Sequence, residues 1–132
     1  MNRKTFHARV LALLGGLCLS AVATTTGAQS FPTKAVNLMV PYPAGGLSDA
    51  IARVVERPLG KALGQMVMVE NLGGVSGALG AQKVLAAPAD GYYIYQGSPN
   101  ELILAPMALQ AVKYKSEDFR MVQIIGAFPM AV

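Results

Sequence analysis

Three observations predict an α/β fold with a mostly parallel sheet flanked by helices on both faces. Short β-branched runs alternate with helix-period segments three times, the connections are short and rich in Gly and Pro, and 53% of the 132 residues are hydrophobic against 14% charged. Alternation of this kind builds βαβ units with right-handed crossovers. The composition argues against a disordered chain or a nucleic-acid-binding tail, which need low hydrophobicity and blocks of like charge. The length bounds the chain to one small domain or less.

The first 28 residues read as a secretory signal peptide. Arg3, Lys4, His7 and Arg9 form a basic start, Val10 to Ala23 is apolar, and Thr26-Gly27-Ala28 supplies small residues for cleavage after Ala28. The apolar run is too short to cross a bilayer comfortably. Leu17 is too bulky to precede a lipidated Cys18. Removing residues 1–28 takes away three of the eleven basic residues and none of the seven acidic ones, so most of the formal charge of +4 is targeting signal. It also removes the single Cys and the single His. Residues 29–132 therefore carry no thiol nucleophile, no imidazole base and no ordinary zinc site, and no catalytic residue, metal or cofactor is assigned.

Each element follows from its residues. Val36 to Val40 reads as a strand that stops at Pro41-Tyr42-Pro43-Ala44-Gly45-Gly46. With Ser48 or Asp49 as N-cap, Ile51, Val54, Val55, Leu59, Ala62 and Leu63 recur at helical spacing up to Gly64, and Pro58 is expected to kink the helix or restart it near Arg57. Met66 to Glu70 reads as a second strand whose Met66 and Met68 belong to the core. The turn Asn71 to Gly77 leads to a second helix, about Ala78 to Ala86, stopped by Pro88. Asp90-Gly91 turns the chain into a strand over Tyr92 to Tyr95. Gly97 to Asn100 opens a short helical stretch through Ala105 that Pro106 ends or kinks, and Met121 to Ile125 reads as a fourth strand.

In a parallel sheet every strand-to-helix loop emerges at one edge, so Pro41 to Ser48, Asn71 to Gly77 and Gly97 to Asn100 are expected to converge. Glycine lets the backbone approach a ligand, and the following helix N-termini offer unpaired N–H groups with partial positive charge, which suits an anion. Ser48, Ser76, Ser98 and Asn100 are the side-chain donors. No Lys or Arg lies in these loops, which favours a carboxylate over a multiply charged phosphate. Neither nucleotide fingerprint is present: Gly60-Lys61 lacks the rest of a P-loop, and Gly74, Gly77 and Gly80 lack a G-x-G opening.

Plainer readings stand beside these. Gly45 and Gly46 also suit a tight turn, Ser48 and Asp49 suit caps, and Asp49 with Arg53 suits an i,i+4 surface pair. Gly73, Gly74 and Gly77 suit close helix–sheet packing, and Tyr92, Tyr93 and Tyr95 suit strand filling. A small secreted hydrolase working through Asp49 with Glu70 or Asp90 is a remote alternative, since it needs one carboxyl with a raised pKa.

The segment Pro41-Tyr42-Pro43-Ala44-Gly45-Gly46-Leu47-Ser48-Asp49, continued by Ala52-Arg53, resembles the P-[FY]-P-x-G-G-x-x-D-x-x-A-R signature of Bug-type extracytoplasmic solute receptors, the substrate-binding proteins of tripartite tricarboxylate transporters. Leu63-Gly64-Gln65, Val69-Glu70-Asn71, Gly74 to Gly80, Pro88-Ala89-Asp90-Gly91-Tyr92 and Glu117-Asp118-Phe119 follow in that family's order. The resemblance spans essentially all of residues 29–132.

The resemblance implies a two-lobed, hinge-closing protein of the periplasmic-binding-protein type II kind. Such a receptor captures a small carboxylate or related solute in the periplasm and delivers it to membrane permease subunits; no nucleic acid is involved. It implies ligand contacts at Tyr42, Ala44, Gly45, Gly46 and Ser48, and further ones at Gly74, Ser76, Gly77, Ser98 and Asn100. Where the family commonly reads N-R-P-G-A-G-G, this chain has Asn71-Leu72-Gly73-Gly74-Val75-Ser76-Gly77, without the Arg and the Pro. The chain reaches Val132 near the family's expected first crossing between lobes. Residues 29–132 are therefore expected to form the N-terminal part of lobe 1 without the second lobe, and a truncated, non-binding fragment is the alternative to a working receptor.

Overall fold

The computed structural model describes residues 30–127, so the expected signal peptide lies outside the described residues. The expected α/β architecture is present. Strand β1 (Val36–Val40) leads to helix α1 (Leu47–Leu63), β2 (Val67–Asn71), a 3-10 turn at Val75–Gly77, α2 (Ala78–Ala86) and β3 (Tyr93–Tyr95). A π-helical turn at Asn100–Leu104 runs into the short helix α3 (Ala105–Ala108), and a 3-10 turn follows at Ser116–Asp118.

The sheet is parallel throughout, in the order β2-β1-β3, with Leu38 of β1 opposite both Val69 and Ile94. The connection through α1 leads from β1 to one neighbour, and the connection through α2 crosses back to the other side. Two right-handed crossovers running in opposite directions place their helices on opposite faces. The core divides accordingly. Val36, Leu38, Val40 and Val67 pack with Ala52, Leu59 and Leu63 of α1, whereas Ala78 and Ala81 of α2 pack with Tyr95, Val112, Tyr114 and Phe119. Covered on both faces, β1 is apolar at four of five positions, with Leu38 and Met39 both buried although they point to opposite sides.

Several expectations need correction. The N-cap of α1 is Gly46, two to three residues before the expected Ser48 or Asp49, because Asp49 uses its carboxylate on the preceding loop instead. Helix α1 continues through Pro58. The hydrogen bond that Pro58 removes belongs to the carbonyl of Val54, a residue 75% exposed, so water can take its place. Val54 and Ala62 lie outside the buried stripe.

Met66 and Met68 are exposed, at 67% and 43%, rather than core. Met66 precedes the strand, and Met68 alternates with Val67 and Val69 to face away from α1 on an edge strand. Pro106 sits in the first turn of α3, directly after the π-helical turn ends at Leu104, so it marks a change of helical pitch within the stretch, in keeping with the expected end or kink there. The expected fourth strand at Met121 to Ile125 is irregular and exposed, with Val122 at 83%, because it pairs with no strand among the described residues.

Candidate functional site

The three glycine-rich loops meet at the C-terminal edge of the sheet. They are tied together by backbone and side chain. Leu72 N–H donates to the Val40 carbonyl at 2.9 Å, and Gln96 N–H donates to the Met39 carbonyl at 2.9 Å, which carries the sheet ladder into the loops. The Asn71 side chain then donates to the Tyr42 carbonyl at 3.1 Å, Asn100 Nδ2 donates to the Tyr42 hydroxyl at 3.1 Å, and Gln96 Nε2 donates to the Ser48 carbonyl at 2.8 Å. Because β1 lies between β2 and β3 with crossovers leaving in opposite directions, the crevice beside β1 is a topological switch point, where ligands of open parallel sheets bind.

Loop 1 (41–46) is held by Asp49. Its Oδ2 accepts Gly45 N–H at 2.9 Å and Arg53 Nε–H at 3.0 Å, and the side chain is 95% buried although Arg53 is half exposed. The expected i,i+4 pair is therefore present, but only one half of it is at the surface. Gly45 N–H, followed by the Arg53 side chain, holds the Asp49 carboxyl below the usual carboxylate range. Gly45 has φ +86°, which an L-residue adopts at a cost. No side chain caps α1, so its first-turn N–H groups, Leu47 to Asp49, remain without an intrahelical acceptor. Ala44, Gly45 and Gly46 are exposed beside them, and Ser48 is half-buried with its carbonyl engaged by Gln96.

Loop 2 (72–77) makes a left-handed passage. Val75 and Ser76 have φ near +50°, and Gly74 and Gly77 are also positive at +122° and +85°. Ser76 occupies a position where the N-R-P-G-A-G-G pattern carries glycine, and its side chain is exposed. Ser76→Gly is expected to raise stability by about 0.5–1 kcal/mol by removing the left-handed penalty, partly offset by added freedom in the unfolded chain. Urea denaturation of the two proteins checks this.

Loop 3 (96–100) is organised by Glu101. This residue is fully buried, and its Oε2 accepts both the N–H and the hydroxyl of Ser98, each at 2.7 Å. Ser98 thus spends both of its donors within the loop, while Asn100 reaches across to Tyr42. A methyl group placed on Gly77 would lie 2.3 Å from Glu101 Cγ and 3.2 Å from Pro41 Cβ, so Gly77 lets loop 2 close onto loops 1 and 3. Burial, then the Glu101 carboxylate, pushes the Tyr42 hydroxyl above its ordinary value.

Tyr42, Gly45, Ser48, Gly77, Ser98 and Asn100 are therefore brought to one junction, with Ala44 and Gly46 on its rim and Gly74 and Ser76 on the outer turn of loop 2. Asn71, Gln96 and Glu101 frame the junction; Asn71 stands in the Val69-Glu70-Asn71 motif, whereas Gln96 and Glu101 carry no motif signal of that role, and Glu101 reads only as one of seven carboxylates. The remaining carboxylates lie apart. Glu70 is paired with Lys83 and accepts the Tyr93 hydroxyl, and these two partners in that order hold it below its usual range; Asp90 sits 3.8 Å from Lys34 on the surface. Shallow surface hollows lie away from the loops, one along α1 at Arg53, Val54, Glu56 and Arg57, another beside Leu102, Pro106 and Lys115.

Residues 51–132 match the family model described as the tripartite tricarboxylate transporter family receptor. The chain belongs to this receptor family. Among its relatives is a protein of the TAR-I ttuE-ttuC' intergenic region of Agrobacterium vitis, 40% identical over 104 residues, which are 79% of this chain and 30% of that protein. Among solved structures, MatC from Rhodopseudomonas palustris with bound malate is 32% identical with a TM-score of 0.64, over 67% of this chain and 31% of that one. A periplasmic transporter is 33% identical with a TM-score of 0.59, over 65% of this chain and 29% of that one. The matched part of this chain thus spans about a third of each relative's length. The receptor family accounts for the order of the motifs from Pro41 to Phe119 and for the parallel sheet that carries them.

Proposed function

We propose that the protein is an extracytoplasmic solute receptor that captures a small carboxylate at the junction of its three strand-to-helix loops and hands it to the permease subunits of a tripartite tricarboxylate-type transporter. The observation that carries this reading is the meeting of loops 1, 2 and 3 at the switch point, with the uncapped N-terminus of α1 facing it. Backbone N–H groups of Gly46 to Ser48, with Tyr42, Ala44 and Gly45 shaping loop 1, grip one ligand carboxylate. Gly74, Ser76, Gly77, Ser98 and Asn100 complete the wall, Ser98 through its place in the Glu101 turn rather than as a free donor.

Residues 1–28 direct the chain to the periplasm, and residues 29–132 form the N-terminal part of the first lobe of a two-lobed protein. The similar periplasmic transporter and the malate-bound MatC support this reading. The protein works without chemistry on its solute. Asp49 and Glu70 are each held ionised by a cation and hydrogen-bond donors, so neither is the carboxyl of raised pKa that the hydrolase alternative requires.

Thermal melting with a panel of mono-, di- and tricarboxylates tests the proposal. A ligand that binds only the folded state adds about 2.7 kcal/mol at one hundred times its dissociation constant, which raises the midpoint by about 10–20 °C in a domain of this size. A shift with some acids and not with matched neutral amides is expected. A midpoint unmoved by every acid overturns solute binding by this chain.

A further inference from the structure

Loop 2 is the strained member of the three, and its own residues do little to hold it. Val75 and Ser76 are left-handed and exposed, and no proline stiffens residues 72–77. The bonds inside the loop are short-range: Gly77 N–H donates to the Gly74 carbonyl at 3.0 Å and Ala78 N–H to the Val75 carbonyl. A β-branched residue at positive φ is an outlier that persists only where its surroundings over-determine it. Loop 2 therefore depends on how its two ends are held.

Glu70 holds both of them. It stands in β2 one residue before Asn71, and its Oε1 accepts from Lys83 of α2, the helix that loop 2 enters. Its Oε2 accepts the Tyr93 hydroxyl from β3, on the far side of β1. One carboxylate thus joins β2, β3 and α2 and closes the chain from residue 70 to residue 83. Its neighbour Asn71 works in the other direction, donating to the Tyr42 carbonyl of loop 1. Gly80 completes the seat: a methyl group there would lie 3.1 Å from the Leu72 carbonyl and 3.3 Å from Pro41 Cα, so α2 rests directly on the backbone of loops 1 and 2. With 32% and 47% of their side chains exposed, Glu70 and Lys83 would contribute little to global stability as an isolated pair. At the base of a strained loop their loss is felt locally.

We infer that Glu70 is a positioning residue for the solute: its clasp on Lys83 and Tyr93 keeps loop 2 in its left-handed form against the junction, and opening the clasp releases loop 2 and weakens solute binding without unfolding the domain. The effect on affinity rests on the loops' being the carboxylate site; the hold on loop 2 does not.

Two readouts separate these parts. Hydrogen exchange at the Leu72 and Gly77 amides, bonded to the Val40 and Gly74 carbonyls, reports on loop 2, and calorimetry with succinate reports on the site. Glu70→Gln leaves one acceptor oxygen for two donors. It is expected to speed exchange at both amides by about tenfold, with the Gln96 amide of loop 3 and the urea midpoint nearly unchanged, and to weaken succinate by about five- to tenfold. Charge alone acts the other way, since removing a negative group tightens an anion. Lys83→Met should match Glu70→Gln, the double variant should lose no more than either single one, and Lys83→Arg should restore most of the loss. Lys34→Met, which breaks the surface pair with Asp90, should move neither readout. Unchanged exchange at Leu72 and Gly77 overturns the inference and leaves the carboxylate site standing, as does faster exchange with succinate affinity unchanged or tightened. If Glu70→Gln does not fold, Lys83→Met decides. Failure of the wild type to bind any acid overturns the proposed site and the effect on affinity with it, while exchange still decides whether Glu70 holds loop 2.

Discussion

Gly77→Ala is expected to destabilise the fold by about 2–4 kcal/mol. Two physical penalties coincide at this position. The backbone is left-handed, at φ +85°, which costs an L-residue about 1–2 kcal/mol. The new methyl group would also lie 2.3 Å from Glu101 Cγ, and neither Glu101, pinned by Ser98, nor Pro41, behind it at 3.2 Å, can yield without moving a loop. Urea denaturation measures the loss. Combining it with Glu101→Ala, which removes the γ atom and so clears the clash but not the backbone strain, should recover about 1 kcal/mol or more as a coupling between the two sites. A loss below about 0.5 kcal/mol for the single variant would mean that loop 2 does not press on Glu101.

Asp49→Ala is expected to free loop 1, and on the proposed function solute affinity should fall on the order of tenfold or more, because the N–H groups proposed to hold the carboxylate lose their fixed geometry. Asp49 holds Gly45 N–H from three residues inside α1, so the same residue fixes both the helix start and the loop before it. Acid should produce a milder form of this effect. The folded-state pKa of Asp49 lies below its ordinary 3.8, so its contribution is fully present above that pH and is lost as pH falls through the lower folded value. The wild type should therefore lose more of its melting temperature between about pH 5 and about pH 3 than Asp49→Asn does. Parallel acid losses in the two proteins would show that the charge on Asp49 contributes nothing to holding loop 1.

The local elements were legible where one signal dominates. Helix α2 matches its expected span of Ala78 to Ala86, β1 matches Val36 to Val40, and Gly64 ends α1 in the left-handed conformation that glycine favours. Signals that compete were not resolved. Asp49 carries the composition of an N-cap, yet its position in the first turn lets it reach back to Gly45, so Gly46 becomes the cap. Met66 and Met68 have core chemistry, but an edge strand leaves one face open, and alternation assigns them to it. The run at Met121 to Ile125 has strand composition without a partner among the described residues, and composition cannot make a ladder alone.

The sequence by itself determined the α/β class, the parallel order of elements, the family through the Pro41 to Arg53 motif, and the three loops as the place to look. These depend on local periodicity, on turn chemistry and on the rule that parallel strands send their loops to one edge. Only the tertiary structure decided which residues hold that edge together. Asn71, Gln96 and Asn100 cross between loops, Asp49 turns inward, and Glu101 lies buried with its carboxylate on Ser98. Such roles arise from contacts between residues as many as 58 positions apart, and no local pattern encodes them.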